Sequence, residues 1–123
     1  MLTDSPAFSG FSVSDPGEAK RFYADTLGLR VEDADGGMFF LKLAGGRDTL
    51  VYPSPKHAPA SYTVLNFPVE DIEATVDDLA GRGVVFERYD GMPTDERGIM
   101  REGGPLIAWF TDPAGNVLSV LER

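Results

Sequence analysis

Whatever chemistry this chain performs must be done with a short set of side chains. Its 123 residues include no cysteine and a single histidine, His57. A thiolate zinc site, an iron–sulfur cluster, a disulfide and a cysteine nucleophile are therefore excluded, as is any site that needs two or three imidazoles from one chain. His57 sits in Pro53-Ser-Pro-Lys-His-Ala-Pro59, a proline-rich connector, where it either pins the loop or contacts a ligand. Serine and carboxylates to accompany it are plentiful, but no Gly-x-Ser-x-Gly turn presents a serine nucleophile, and acyl transfer is set aside. Asp95 with Glu96, and Glu87 with Asp90, read as solvated faces rather than general acid–base pairs, a reading that only a strongly perturbed pKa would overturn. Trp109, the one tryptophan, is the strongest candidate for stacking on a flat organic ligand.

Composition narrows the partners. Twenty acidic side chains against 11 basic ones give a net charge of -9. Such a field repels a phosphate backbone, so no nucleic-acid partner is expected, while cationic ligands are mildly favoured at long range. Apolar runs are too short for a membrane span. Met1 to Gly10 lacks a positive region followed by an apolar stretch, which leads to the expectation of a cytoplasmic protein. An apolar share of 42% and a charged share of 25% suit a single folded domain over residues 1–123, with a real core.

The elements that must position these residues come in two copies. Phe11-Ser-Val13-Ser-Asp15 recurs as Phe67-Pro-Val69-Glu-Asp71, a self-match of the kind that marks repeated units. In the first copy Asp15 is placed to cap a helix, Pro16 suits its first position, and Glu18 completes a capping box. Ala19, Phe22, Tyr23 and Leu27 fall on one helical face, which Gly28 ends. In the second, Asp71 caps, Ile72, Val76, Leu79 and Ala80 form the apolar stripe, and Gly81 or Gly83 ends it. Three β-prone segments follow each helix: Leu29 to Glu32, Met38 to Leu43 and Thr49 to Tyr52, then Val84 to Tyr89, Leu106 to Thr111 and Val117 to Leu121. Asp112-Pro113-Ala114-Gly115-Asn116 reads as a tight turn between the last two. The fold class is α+β: two tandem βαβββ modules, about 6–53 and 61–123, joined by a linker at about 54–60.

Arg21-Phe-Tyr-Ala-Asp-Thr-Leu-Gly-Leu29, Phe110-Thr-Asp-Pro-Ala-Gly-Asn116 and the two repeat motifs together resemble the vicinal oxygen chelate superfamily. That group includes glyoxalase I, extradiol dioxygenases and the fosfomycin- and bleomycin-resistance proteins. The resemblance spans essentially the whole chain and implies a curved mixed sheet around a cleft that holds the site. It also implies a symmetric homodimer, as members of this length commonly form. The motifs that carry it are structural and are shared across unrelated chemistries.

Members with metal chemistry place His, Gln or Glu on strands facing the cleft. The matching positions here are Phe8 and Val64, ahead of the two repeat motifs, Ser119 after the Asp-Pro-Ala-Gly-Asn turn, and a fourth near Val51. Phenyl and isopropyl groups donate nothing to a metal, and a lone serine hydroxyl is a poor ligand. No metal or other cofactor is expected. Glyoxalase-type isomerisation loses its Lewis acid, and a two-His-one-carboxylate dioxygenase centre fails for want of histidine.

Strand alternation places Gly10 and Ser12 with Phe8, and Tyr62, Asn66 and Pro68 with Val64. Val117 and Leu121 share the parity of Ser119, and the family pattern turns Ile107 and Trp109 inward. The result is a mostly apolar lining, with Asn66 and Ser119 as sparse polar contacts. Tyr52 and His57 join it from the first module and its connector. Asp90 to Gly104 is too polar for core and long for a connector, and reads either as a lid or as a solvated loop. As a lid it would bring Met92 and Met100 onto a ligand, with Arg101 pairing a ligand carboxylate.

The function this suggests is metal-independent binding or sequestration of a small organic molecule, aromatic or cationic, in an apolar cleft. The alternative is an enzyme of the same superfamily with non-standard catalytic or metal residues. Its acid–base groups would come from His57, Tyr52, Asp95 or Glu96.

Overall fold

Alternation of apolar and polar residues decides which sheet face each side chain joins. In the computed structural model, which describes residues 1–123, the chain divides into two compact units, Met1–Ala58 and Pro59–Arg123. The first unit runs β1 (Ser9–Val13), α1 (Pro16–Arg21), β2 (Arg30–Asp33), β3 (Phe39–Leu43) and β4 (Arg47–Pro53). Its sheet has the order β1-β4-β3-β2, parallel between β1 and β4 and antiparallel elsewhere. Phe11, Val13, Phe39, Leu41 and Val51 lie on one face and are buried with Ala19 and Tyr23 from the helical segment. Tyr23 packs its ring between Phe11 and Phe39, with centroids 6.0 and 6.5 Å away. The other face carries Gly10, Ser12, Phe40, Leu50 and Tyr52 in cross-strand register.

The second unit repeats the plan with one strand fewer: β5 (Thr63–Val69), α2 (Ile72–Gly81), β6 (Ile107–Thr111) and β7 (Val117–Glu122), in the sheet order β5-β7-β6. Ala108, Phe110, Leu118 and Val120 are buried on the face toward α2. That direction is fixed by Glu122, which shares their parity and accepts a 3.1 Å hydrogen bond from the first backbone N–H of α2, at Ile72. Ile72, Val76 and Leu79 meet them from the helix. Burying each such side chain stabilises the unit by roughly 1.5–3 kcal/mol.

Local signals in the sequence account for the element ends. Asp15 and Asp71 cap the two helices, accepting from the backbone N–H of Glu18 and Ala74 at 3.1 Å each. Gly28 follows the first helical segment with a φ of 70°, a conformation that costs glycine little. At the β6–β7 turn, one Asp112 carboxylate oxygen accepts from the N–H groups of Ala114 and Asn116, and the other from the Asn116 side-chain amide. Asp112 and Asn116 are both buried, and this network satisfies them.

Four details depart from expectation. The helix expected to run to Leu27 stays α-helical only to Arg21 and widens into a π-helical turn over Phe22–Thr26; this seats Tyr23 fully in the core and leaves Phe22 and Leu27 half-buried. Ala80 is exposed, because the buried stripe of α2 ends at Leu79. Val84 to Tyr89 forms no regular strand and contributes one antiparallel bridge, Glu87 to Trp109. Its side chains tie the following loop instead: Phe86 packs on Phe110 at 5.7 Å, and Arg88 turns back onto loop carbonyls. Finally, Leu50, not Val51, is the first-unit counterpart of Ser119. Leu50 pairs with Gly10 as Ser119 pairs with Asn66, and Gly10 and Asn66 hold matching places before the two repeat motifs.

Candidate functional site

A row of four side chains crosses the second sheet on the face away from α2. Asn66 is in register with Ser119, Ser119 with Trp109, and Trp109 with Glu87. The Ser119 hydroxyl, with no exposed surface, donates a 2.6 Å hydrogen bond to the Asn66 side-chain oxygen. Trp109 is held from both sides by backbone pairing, and its carbonyl accepts from the Glu87 N–H at 2.7 Å. The Tyr89 ring stands edge-on to Trp109, with centroids 5.9 Å apart and planes at 73°.

Beside this pair lies a cavity of about 340 Å³. Trp109, Tyr89 and Tyr62 supply its aromatic walls and Met92 a flexible apolar one, while Ser61 and Thr63 bring hydroxyls. Burial, and then the negative charge of Glu87, push the Tyr89 phenol above its ordinary pKa, so it stays a neutral O–H at physiological pH. Rigid amphipathic rings of this kind offer stacking surface together with hydrogen-bonding edges. No lysine or arginine lines the cavity.

The residues singled out in the sequence are distributed unevenly around this arrangement. Trp109 walls the cavity, and Ser119 and Asn66 stand beside it in the same row. Val64 is not among the residues that line the cavity. A bulge between Thr63 and Leu65 leaves Val64 out of the ladder and sets Thr63 opposite Val117, the partner that strict alternation assigns to Val64. Ile107 pairs with Leu121 and is bridged to Met100. In the first unit, Phe8 is 58% exposed and meets Phe40 edge-on at 5.6 Å. Tyr52 is in register with Ser12, whose hydroxyl shares a 2.7 Å hydrogen bond with His57 Nδ1.

The segment Asp90 to Gly104 is tied down at many points. Arg88 donates to the Thr94 hydroxyl and to the carbonyls of Asp95 and Glu96, at 2.6–2.9 Å. Asp95 accepts from the N–H groups of Arg97 and Ile99 through one oxygen and from Arg101 through the other, all at 2.9 Å. Burial alone would raise the Asp95 carboxyl, but the Ile99 N–H, the Arg101 guanidinium and the Arg97 N–H outweigh it and hold the group below the usual carboxylate range. Asp95 is thus a loop-holding anion rather than a raised-pKa general acid. Arg101 is engaged by Asp95 and Glu73, and Arg97 by Asp77 and Glu73 on α2. Ile99 is fully buried, contrary to the expectation that this stretch is too polar for core. Met92 is the residue of this loop that reaches the cavity.

Tyr89 was not among the candidates read from the sequence, where it ends a strand-like run. Its aromatic neighbours Tyr62 and Trp109 lie far away along the chain, so only the folded register brings them together. A metal centre of the kind used by glyoxalases does not fit the donors present. No three His, Asp or Glu side chains group closely enough to hold an ion. Phe8, Val64, Leu50 and Ser119 offer one hydroxyl among them, and Asn66 already accepts its proton.

Comparison with known proteins agrees with this architecture. The uncharacterized protein YraH of Bacillus subtilis (strain 168) is 27% identical over 122 residues, spanning 88% of this chain and 90% of that one. Among solved structures, TnmS3, an antibiotic binding protein from Streptomyces sp. CB03234, superposes with a TM-score of 0.68 at 23% identity, covering 98% of both chains. The fosfomycin resistance protein FosX from Mesorhizobium loti superposes with a TM-score of 0.65 at 12% identity, covering 98% of this chain and 92% of its own. No helix here is long and apolar enough to cross a membrane. Residues 8–120 match the Glyoxalase/Bleomycin resistance protein/Dioxygenase superfamily, and the chain belongs to it.

Proposed function

We propose that the protein binds a small organic molecule against Trp109 without using a metal, and sequesters rather than transforms it. The observation that carries this reading is the cavity of about 340 Å³ walled by Trp109, Tyr89, Tyr62 and Met92, in a chain whose residues do not fit the family's metal centre. Its size and its balance of rings to hydroxyls suit a ligand of a few fused rings, held by stacking and a small number of hydrogen bonds. Binding of a small molecule has precedent in the fold, since TnmS3 is described as an antibiotic binding protein. A homodimer in the cytoplasm, with the small molecule as its other partner, completes the proposal.

Trp109, the sole tryptophan, is a built-in reporter for the test. A library of flat aromatic and heteroaromatic compounds is screened by quenching of its emission, and each hit is recovered from the protein and weighed by mass spectrometry. Saturable quenching with the compound returned intact supports sequestration. A recovered product of altered mass would move the assignment to a metal-free enzyme.

A further inference from the structure

Next to the aromatic walls of the cavity, though not among its lining residues, stands a carboxylate, Glu87. Glu87 lies directly opposite Trp109 in an antiparallel bridge, so both side chains leave the same face of the sheet. Glu87 makes no ion pair within the chain. Its neighbour Arg88 is committed to the Thr94 hydroxyl and two loop carbonyls, and no basic side chain lines the cavity. Tyr89 and Trp109 meet at 73°, which gives a positive charge two ring faces to approach from different directions. Aromatic faces are electron-rich and attract cations within about 6 Å of the ring centroid, most strongly when water is excluded. The net charge of -9 adds a long-range pull in the same direction.

From this juxtaposition we infer that the ligand is an organic cation, its positive nitrogen held on the cavity side, in the angle made by the Tyr89 and Trp109 ring faces, with Glu87 as the nearby counter-ion. The inference rests on the proposed binding function and names its ligand class. A neutral ligand would leave the nearby Glu87 charge unmatched, whereas a cation is attracted by rings and carboxylate together. Permanently charged flat heterocycles and aryl-substituted quaternary ammonium compounds both answer this description.

The test compares two probes of similar size: 1-methylquinolinium, which is always charged, and quinoline at mildly alkaline pH, where it is neutral. Binding of each is measured by isothermal titration calorimetry to the whole protein, to Glu87→Gln and to Tyr89→Leu. The expected result is about a ten-fold preference for the cation. Glu87→Gln should remove most of it without weakening quinoline, and Tyr89→Leu should weaken both probes. Equal affinity for the two probes would overturn the cation assignment and leave the small-molecule reading standing. A cation preference untouched by Glu87→Gln would trace to overall charge and also overturn the assignment. Failure of both probes to bind, or binding indifferent to Tyr89→Leu, would bring down the cavity as a ligand site and the proposed function with it.

Discussion

The Ser119 hydroxyl and the Asn66 side-chain oxygen lie 2.6 Å apart across β7 and β5, at a strand position where metal-using members of the superfamily keep a ligand. The serine proton is already given to Asn66, and neither neighbour in the row is a histidine. This geometry predicts that protein incubated with zinc, nickel, manganese or ferrous iron and then desalted retains no stoichiometric metal on elemental analysis. Ser119→Ala should cost about 1 kcal/mol in urea denaturation, the worth of one hydrogen bond, because the exposed Asn66 oxygen can turn to water.

Tyr89→Leu separates the cavity from the core. Tyr89 is 37% exposed whereas Trp109 is 8% exposed, so truncating the tyrosine should cost about 1 kcal/mol of stability or less. Ligand affinity should fall about ten-fold with the loss of the second ring. Trp109→Ala, by contrast, should cost about 3–5 kcal/mol and lose binding together with fold. Chemical denaturation alongside calorimetry distinguishes the two behaviours.

Acid should loosen the loop before the sheets. The Asp95 carboxyl lies below its ordinary value, so its contribution is present above the unfolded value of about 3.9. That contribution is lost as pH falls through the lower folded value. Proteolysis within residues 90–104 should therefore rise below about pH 4 while the hairpin of β6 and β7 stays protected. Asp95→Asn should already show that susceptibility at neutral pH, since it weakens the hold on Arg101 and the Ile99 N–H.

Gly98 is required twice over. Its φ is 88°, and a Cβ there would stand 2.9 Å from the Phe86 Cβ. Gly98→Ala should cost about 2 kcal/mol, read as a lower urea midpoint, through strain that also lifts the loop off Phe86.

Much of the fold was readable from local chemistry. Asp15 and Asp71 announce helix starts because a carboxylate is one of the best acceptors for free N–H groups there. Asp112 and Asn116 announce the turn that they build. The site was only half readable. Asn66 follows from alternation and Trp109 and Ser119 from the family pattern, but Val64 does not line the cavity, because a bulge shifts parity without leaving any mark in residue types. Tyr89 and Glu87 escaped because they join the site from a segment that makes one bridge rather than a strand. The loop escaped for a related reason: what stabilises it is side chain to backbone bonding by Arg88 and Asp95, which has no periodicity to detect.

The central claim is that an organic ligand seats against Trp109 with no metal involved. Trp109 emission, titrated with 1-methylquinolinium in protein stripped by a chelator and again after addition of zinc or manganese, tests it most directly. Saturable quenching is expected in the stripped protein, unchanged by either metal and weakened in Tyr89→Leu. Quenching that appears only once metal is restored would contradict it.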